Sequence, residues 1–337
     1  MLTFVNIDGA KRTGYDFTRP SCLTIGNFDG LHRGHQALLQ ELVAIAAQGD
    51  KGRFAQPLQS GLVTFDPHPL SVLRPKQPHW LLTTPEERLA LAAEQGLDFG
   101  VIHTFTAETA ALSADAFIRL LKQYLGLAAL VVGPDFALGR GRLGDIPFLR
   151  ALGAELDFTV HVIEPVVWEG LSVRSSSIRQ ALGEGDVTAA ATMLGRPYHA
   201  TGEVVHGEQR GRQIGIPTAN LQTPTDKLLP ANGVYVTRAH LTVDGRCYHL
   251  DSVTNLGVRP TVDGLHRRLE VHLFDFPPDA DATSTNETLR NGDIYGQQLT
   301  VEFIARLRGE QRFESVDALV GQIHRDMAQA RAMLATL

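Results

Sequence analysis

The hydrophobic pattern of the chain changes near Gly195, and this change restricts the possible folds more than any other feature of the sequence. Before it, five short apolar segments alternate with stretches that carry an apolar residue at every third or fourth position; the segments are residues 22–25, 61–65, 99–103, 128–132 and 158–162. This alternation of strands and helices predicts an α/β unit, a Rossmann-like doubly wound parallel sheet with helices on both faces. Such sheets bind ligands beyond the carboxyl ends of their strands.

After Gly195 the pattern becomes that of an antiparallel sheet. Residues 233–243, 269–276 and 299–304 alternate between apolar and polar side chains, and turns rich in Gly, Asp and Asn separate them. A long amphipathic helix is expected only over residues 315–334. We therefore predict an antiparallel β-barrel with a C-terminal helix. Because 337 residues exceed the usual size of one core, we place two domains at residues 1–185 and 186–337.

The charge balance and the cysteine content narrow the classes of partner. The 31 Lys and Arg residues against 37 Asp and Glu residues give a net charge of −6, which argues against broad binding to nucleic acid. Two cysteines imply no disulfide framework, and we find no pattern of a signal peptide or a membrane span. We expect a soluble, cytoplasmic protein that binds neither nucleic acid nor membrane; the sequence leaves its oligomeric state open.

The strongest local motif is residues 23–35, in which a predicted strand ends at Gly26, a tight turn follows and a helix begins near Gly34. His32 and His35 share one face of that helix opening. A glycine there lets a phosphate approach the backbone amides and the positive end of the helix dipole, and two imidazoles can donate to it. A His-x-x-His pair by itself also fits a zinc site or simple packing.

Residues 23–35 resemble the Gly-x-Phe-Asp-Gly-x-His-x-Gly-His motif of the nucleotidyltransferase superfamily, and residues 64–69, 132–136, 139–145 and 173–179 resemble segments of its flavin-synthesising branch. The resemblance implies that an FMN phosphate oxygen attacks the α-phosphorus of ATP. The residues that it assigns to this reaction are His32, His35 and Arg179 for catalysis, Gly26, Asn27, Phe28, Gly34, Asp135, Ser175 and Ser176 for ATP, and Asp66, His68 and Pro69 for the flavin.

Several of these residues also have a simpler interpretation. Three serines in a row are usually a helix cap, an isolated histidine such as His68 is usually structural, and Arg140 and Arg142 taken alone would be solvated surface charges. The chain also departs from the family pattern, because Arg174 stands where serine is expected and Ala137-Leu138 replace a basic–aromatic pair. We expect these two departures to bear on the affinity for FMN.

A second motif opens the predicted barrel. Gly207, Gly211 and Gly215 form a glycine-rich loop whose amides can curl around phosphates, although their spacing alone favours a plain turn between strands. The segment Pro217-Thr218-Ala219-Asn220 that follows resembles the signature of riboflavin kinases. A Thr hydroxyl and an Asn carbonyl are hard oxygen ligands suited to Mg²⁺.

The resemblance to riboflavin kinases continues through residues 229–235, 255–261, 270–276, 293–296 and 307–310. It implies that Glu270 is the base that takes the proton of the terminal ribityl hydroxyl, whose oxygen then attacks the γ-phosphorus of ATP. On its own, Glu270 fits the exposed side of a strand. The other implied roles are ATP binding by Gly207, Arg212, Gly215, Thr218 and Asn220, metal binding by Thr218 and Asn220, and flavin binding by Arg308. Residues 277–292 form a longer connection than the family pattern has.

These segments cover nearly the whole chain, which is similar to prokaryotic bifunctional riboflavin kinase/FAD synthetases, also called FMN adenylyltransferases. The resemblance implies that Mg²⁺ and ATP serve to convert riboflavin to FMN and FMN to FAD. Three other functions stay open at this point: a riboflavin kinase with an impaired adenylyltransferase unit, a flavin-binding regulatory protein without turnover, and a nucleotidyltransferase for another small phosphate compound.

Overall fold

The structure is a computed structural model that describes residues 1–14, 17, 19–164, 167–168, 171–207, 211, 214–243, 246–261, 264–276 and 293–337. The chain forms two compact units, Met1–Ser175 and Ser176–Leu337. The domain boundary after residue 185 stays a prediction. No helix in the described ranges combines the length and the apolar character that a membrane span requires.

The first unit is built on a six-stranded parallel sheet, as predicted. Its strands are β1 (Leu2–Val5), β2 (Ser21–Ile25), β3 (Gln59–Asp66), β4 (Phe99–Thr104), β5 (Leu127–Val132) and β6 (Thr159–Val162), in the spatial order β1-β4-β3-β2-β5-β6. The predicted segments match β2 to β6 to within two residues at each end. Strand β1, which pairs with β4 at one edge, was not predicted. A short antiparallel pair, β7 (Val167–Trp168) and β8 (Leu171–Ser172), follows the sheet.

Helices cover both faces of the sheet. They are α1 (Gly9–Arg12), α2 (Arg33–Ala47), α3 (Gly49–Gly52), α4 (Pro69–Leu73), α5 (Pro85–Glu94), α6 (Ala107–Ala111), α7 (Ala114–Leu125) and α8 (Ile146–Leu156), with a 3-10 turn at Arg140–Arg142. Successive residues of β2 point to opposite faces, so Leu23 packs into the core under α7 and α8 and Cys22 into the core under α2. The predicted two-sided arrangement is confirmed.

Local sequence signals fix the start of α5. The Thr84 hydroxyl accepts a hydrogen bond from the Glu87 amide at 3.2 Å, and the Glu87 carboxylate accepts one from the Thr84 amide at 2.9 Å. Pro85 occupies the first helical position, where no backbone donor is needed. This capping box orients the segment before α5, which contacts the functional loop described below.

The second unit is a closed antiparallel barrel, which also confirms the prediction. Its strands are β9 (Tyr198–Val205), β10 (Ala219–Gln222), β11 (Gly233–Val243), β12 (Arg246–Thr261), β13 (Gly264–Leu273) and β14 (Gln298–Arg308), closed in the order β10-β13-β12-β11-β14-β9. Helices α9 (Ser175–Glu184) and α10 (Val187–Leu194) precede the barrel, and α11 (Val316–Leu334) packs its buried Ala330 and Leu334 against residues of β11 and β12.

The predicted strand 269–276 corresponds to β13 with shifted ends. Strand β13 begins five residues earlier and ends at Leu273. The strand ends there because Asp275 has a positive φ of 54°, which extended backbone does not allow. The Asp275 carboxylate accepts two hydrogen bonds, of 2.7 and 2.8 Å, from Arg331 of α11, so the turn is joined to the terminal helix.

Candidate active sites

The loop between β2 and α2 has an unusual backbone. Phe28, Gly30 and Leu31 all have positive φ values, of 47°, 87° and 39°. Non-glycine residues rarely adopt this region, and such strain concentrates at functional sites. The ring of Phe28 folds back over Gly26, where a β-carbon would lie only 2.9 Å from the ring. A side chain at Gly26 would therefore displace Phe28, which explains the glycine at the end of β2.

The structure brings His32 and His35 together at the amino end of α2. His32 is the N-cap residue, and its Nδ1 accepts the His35 amide at 3.4 Å. The two imidazole rings stack with centroids 3.7 Å apart, and the Phe28 ring lies 4.9 Å from that of His35. Burial, together with the positive potentials of His32 and Arg88, holds the pKa of His35 well below the usual histidine value. His35 is therefore neutral near pH 7, and its buried Nδ1 has no hydrogen-bond partner in the described ranges.

Asp29 anchors this loop to the segment before α5. Its buried carboxylate accepts the amides of Leu82 and Thr83, each at 3.0 Å to Oδ1, and the Thr83 hydroxyl at 3.3 Å. The same hydroxyl accepts the amide of Gly30 at 2.9 Å. The acidic residue of the motif thus has a structural role, and the sequence alone did not identify its partners.

A buried arginine supports the other end of the loop. Arg88 is 1% exposed and donates to the Thr64 hydroxyl at 2.9 Å, which in turn donates to the Asn27 carbonyl at 3.1 Å. Arg88 also donates to the Thr83 carbonyl at 3.1 Å. Burial lowers its pKa, while Asp29 and other carboxylates oppose that shift. Arg88 lies in the middle of α5, and sequence analysis did not single it out.

A cavity of about 720 Å³ lies at the carboxyl ends of β2, β3, β4 and β5, where the parallel sheet predicts a ligand. The predicted site residues in its wall are Gly26, Asn27, Phe28, His35, Pro69 and Asp135. The apolar residues Leu73, Phe105 and Phe117, which no motif marks, also line it. Phe105 directly follows β4, so the rule that ligands bind at strand ends could have identified it. Ala137 and Leu138, the departures from the family pattern, are in the same wall.

The predicted flavin residues separate into two groups. Pro69 lines the cavity, whereas Asp66 is exposed at the end of β3. His68 is buried and is the N-cap residue of α4, because its Nδ1 accepts the Leu70 amide at 3.1 Å. Its ring stacks on His79 with centroids 3.8 Å apart. The geometry therefore gives His68 a structural function, as an isolated histidine usually has.

The serine-rich segment begins α9, as predicted. Ser175 is its first residue, and the Ser175 hydroxyl donates to the Asp29 carbonyl at 2.9 Å. Gly34 faces the same segment, because a β-carbon there would lie 4.0 Å from the Val173 carbonyl oxygen. Arg174 and Ser176 are exposed, and Arg179 is half-buried in the second turn of α9.

In the second unit, three polar side chains form a row across neighbouring strands. Glu270 of β13 stands opposite Asn220 of β10 on one side and opposite Asn255 of β12 on the other. Directly paired residues have β-carbons about 5 Å apart and point to the same face. All three line one cavity of about 860 Å³. Two amide side chains therefore flank a carboxylate, which lies 3.4 Å from a guanidinium nitrogen of Arg268.

The buried side chain of Asn220 fits a cation ligand. Its carbonyl oxygen Oδ1 has no hydrogen-bond partner among the described residues, although it is removed from solvent. Thr218 lines the same cavity two residues earlier. Gly207 is needed beside this amide, because a β-carbon there would lie 2.2 Å from Asn220 Nδ2. An unpaired amide oxygen and a hydroxyl are donors that suit Mg²⁺.

His272 fixes the segment that carries Thr218. Its Nδ1 lies 2.7 Å from the Pro217 carbonyl oxygen, and a carbonyl can only accept, so Nδ1 carries the proton. Gly211 lines the cavity, and Gly215 has a positive φ of 77° in the turn that follows. Arg212 and part of this loop lie outside the described residues, as does the long connection 277–292. The predicted roles of those residues stay predictions.

Helix α11 forms a wall of this second cavity. Val316, Leu319 and Ile323, part of the predicted apolar stripe, line it together with Arg308 and Asp326. Arg308 and the buried Asp326 form an ion pair with hydrogen bonds of 2.8 to 3.2 Å, in which the Arg308 side chain is 16% exposed. The guanidinium of Arg308 is therefore held by α11 at the cavity wall. The family resemblance identified Arg308 but not its partner, because nothing in the local sequence distinguishes Asp326 from a surface carboxylate.

Comparison with known proteins gives a consistent result for both units. The FAD synthetase family matches residues 15–177 and the riboflavin kinase family matches residues 194–334. A bifunctional riboflavin kinase/FMN adenylyltransferase of Pseudomonas fluorescens is 39% identical over 320 residues, which cover 93% of this chain and 92% of the relative. The enzyme of the same name from Escherichia coli K12 is 38% identical over 310 residues, which cover 92% and 91%. A crystal structure described as a macrolide-efflux protein from Streptococcus pneumoniae has a TM-score of 0.81 at 30% identity, covering 98% of this chain and 99% of that one.

Proposed function

The chain belongs to the family of bifunctional riboflavin kinase/FMN adenylyltransferases, and we propose that its two cavities each carry one of the two reactions. The enzyme converts riboflavin and ATP to FMN and ADP, and FMN and ATP to FAD and diphosphate. The family matches support adenylyl transfer in the first unit and phosphorylation in the second. We propose that the domain limit lies after residue 185, in the turn between α9 and α10; this position lies between the two family matches, of which one ends at residue 177 and the other begins at residue 194.

Adenylyl transfer takes place at the opening of α2. The amides around Gly34 and the dipole of α2 attract the triphosphate of ATP. His35 donates an N–H from a neutral ring, since burial keeps it uncharged, and His32 orients it by stacking and by capping the helix. An FMN phosphate oxygen then forms a bond to the α-phosphorus of ATP, and the bond from that phosphorus to the diphosphate breaks. The remaining proposed ATP contacts are Gly26, Asn27, Phe28, Asp135, Ser175, Ser176 and Arg179.

The flavin of FMN lies against the apolar part of the first cavity. Phe105, Phe117 and Leu73 offer the aromatic and aliphatic surface that a planar ring system needs. Pro69 lines the cavity beside them, and His68 positions Pro69 by capping α4. Asp66 lies at the exposed end of β3, within the same segment.

Phosphorylation of riboflavin takes place at the row of Asn220, Glu270 and Asn255, and this arrangement is the observation that carries the assignment. The Glu270 carboxylate accepts the proton of the terminal ribityl hydroxyl. The oxygen forms a bond to the γ-phosphorus of ATP, and the bond from that phosphorus to ADP breaks. The flavin ring packs against the wall formed by α11 and the ion-paired Arg308, while Gly207, Gly215 and Arg212 bind the nucleotide.

The kinase site uses Mg²⁺. Asn220 Oδ1 and the Thr218 hydroxyl would hold the ion, which neutralises phosphate charge when it is bound. The unpaired, buried state of Asn220 Oδ1 supports this assignment. His272 contributes by holding the Pro217 carbonyl, and therefore the backbone next to Thr218, in place.

Two substitutions test whether the two reactions use separate sites. Glu270→Gln should abolish FMN formation from riboflavin and Mg·ATP, while FAD formation from supplied FMN persists, because glutamine cannot accept the hydroxyl proton. His35→Ala should have the opposite effect. Chromatography separates riboflavin, FMN and FAD in both assays. Loss of both activities in either folded variant would contradict two separate sites.

Each active site serves as the folding control for the other. A further matched control for Glu270→Gln is Glu203→Gln, which changes an exposed strand glutamate of the same barrel that lies outside the cavity wall. This variant should keep both activities. If Glu203→Gln lost FMN formation as completely as Glu270→Gln, the carboxylate of Glu270 would have no specific role.

A further inference from the structure

The outer surface of the barrel carries a cluster of nitrogen and sulfur ligands that neither reaction uses. His240 of β11 stands directly opposite His249 of β12, and Cys247 lies two residues before His249 on the same face. One ligand atom of each of the three residues lies within 4.8 Å of the others. None of the three lines the cavity that contains Glu270.

We propose that His240, Cys247 and His249 bind Zn²⁺ on the outer face of the β11–β12 hairpin. Two imidazoles and a thiolate are ligands that Zn²⁺ prefers, and three protein ligands with water in the fourth position give a tetrahedral site. Mg²⁺ is a hard ion that prefers oxygen ligands, so the Mg²⁺ of the kinase reaction does not compete for this site.

The positions of the two histidine rings fit a metal after a small adjustment. Their Nδ1 atoms lie 2.6 Å apart, which is a hydrogen-bond distance that requires a proton on one of them. Two nitrogens bound tetrahedrally to one Zn²⁺ are about 3.3 Å apart, since each bond is about 2.0–2.1 Å long. The rings must therefore separate by roughly 0.7 Å when the metal replaces the shared proton. His249 is exposed, so rotation of its side chain supplies this movement.

The carboxylate of Glu302 lies next to one of the proposed ligands, His240. Glu302 Oε2 of β14 lies 3.2 Å from His240 Nε2, within ion-pair distance but without a completed hydrogen bond. If the proton of His240 is on Nε2, it is directed at Glu302, and Nδ1 is unprotonated. The Nδ1 lone pair of His240 can then bind a metal beside Cys247 and His249. Carboxylates commonly orient metal-bound histidines in this way, and their loss lowers metal affinity by about 10- to 100-fold.

The cysteine content allows metal binding at this site to be measured by alkylation. The chain has two cysteines, and Cys22 is fully buried. Burial, with a smaller effect of Asp50, raises the pKa of the Cys22 thiol to about 12, so it is protonated and unreactive near neutral pH. Cys247 is exposed. Alkylation of the folded protein therefore reports on Cys247.

The test uses the full-length chain, freed of metal by a chelator and equilibrated with Zn²⁺ in excess Mg²⁺. We expect one Zn²⁺ per chain by elemental analysis, at least tenfold slower alkylation of Cys247 by mass spectrometry, and a cobalt–thiolate absorption band when Co²⁺ replaces Zn²⁺. Cys247→Ser should remove the cobalt–thiolate band and weaken Zn²⁺ binding by at least tenfold, and His249→Ala should weaken binding equally. Glu302→Gln should weaken binding about tenfold.

The matched control is His324→Ala, which removes an exposed histidine from α11 of the same unit. It should bind Zn²⁺ as the unaltered chain does, and all four variants should keep both flavin reactions, which shows that they are folded. Unchanged Zn²⁺ affinity in Cys247→Ser or His249→Ala would overturn the proposal, as would Zn²⁺ that leaves the alkylation rate of Cys247 unaffected.

Discussion

Replacing Asp29 with asparagine tests whether its carboxylate holds the loop that carries His32. Asparagine can keep its carbonyl oxygen at the Oδ1 position, where it still accepts the amides of Leu82 and Thr83, but it loses the negative charge and turns an NH₂ group, which cannot accept, toward the second contact of Leu82 at Oδ2. A hydrogen bond to a charged group contributes about 1.5–3 kcal/mol and one to a neutral group about 0.5–1.5 kcal/mol. Because two such bonds weaken, we expect the free energy of unfolding of the first unit to fall by about 2–3 kcal/mol. For a unit of this size, Tm should fall by roughly 5–10 °C.

The same change should raise the KM for ATP in FAD formation. Asp29 fixes the loop, and distortion of this loop would move both His32 and the amino end of α2. A loss of about 1.4 kcal/mol of binding energy for ATP already raises the KM about tenfold. FMN formation should stay within about twofold, since the kinase site is in the other unit. The measurements are calorimetric unfolding and steady-state kinetics of both reactions.

Asp98→Asn is the matched control for Asp29→Asn. The Asp98 carboxylate also accepts a backbone amide, that of Ser60 at 2.7 Å, but it lies just before β4, at the amino end of the sheet. It should lower Tm without changing the KM for ATP. A normal KM in Asp29→Asn despite a lowered Tm would refute the link between this anchor and the ATP site, and an unchanged Tm would refute the estimate of its strength.

Three further predictions concern single side chains. Because burial lowers the pKa of His35, the unfolded chain binds more protons than the folded chain below about pH 6.5, so the free energy of unfolding falls as the pH is lowered further. The Tm of His35→Gln should therefore fall less steeply with acidification than the Tm of the unaltered chain, and parallel curves would contradict this. Asp326→Asn leaves the partly buried guanidinium of Arg308 without its charged partner at the wall of the kinase cavity. This change should lower the free energy of unfolding by about 2–4 kcal/mol and raise the KM for riboflavin but not for FMN, as denaturant titration and kinetics of both reactions would show. Gly207→Ala should displace the amide of Asn220 and slow FMN formation at least tenfold. The control Gly183→Ala, where a β-carbon meets no atom within 4 Å, should leave the rate unchanged. Equal rates of FMN formation in the two variants would contradict the steric role of Gly207.

The elements with a clear hydrophobic pattern could be predicted from the sequence, and those without one could not. The strands β2, β3 and β5 are almost completely buried and β4 is buried over its first half, and each contains an apolar run. Strand β1 is only four residues long, and although three of them are apolar, Phe4 alone is buried, so the segment is too short for its pattern to identify a strand. It forms because β4 offers an unpaired edge. Pairing to a distant strand is a tertiary effect that local sequence does not encode.

The same distinction applies to the two sites. Motif residues such as His35, Asn220 and Glu270 were predicted because resemblance to a family identifies positions along the chain. Their partners come from distant elements: Arg88 lies on α5, and Phe105 follows β4. The sequence also did not indicate that His35 is uncharged, because the lowered pKa arises from burial and from neighbours that only the fold assembles.

The row formed by Asn220, Glu270 and Asn255 depends on how the strands are aligned. A slip of β10 by one residue would turn Asn220 to the opposite face and bring an apolar neighbour beside Glu270. Closure of the barrel prevents such a slip, because β10 is bonded to β9 as well as to β13. If the row acts as proposed, the alignment of the backbone determines whether the kinase reaction can take place. Deleting one residue within β10 would leave the composition of the motif almost intact while separating the groups that must act together.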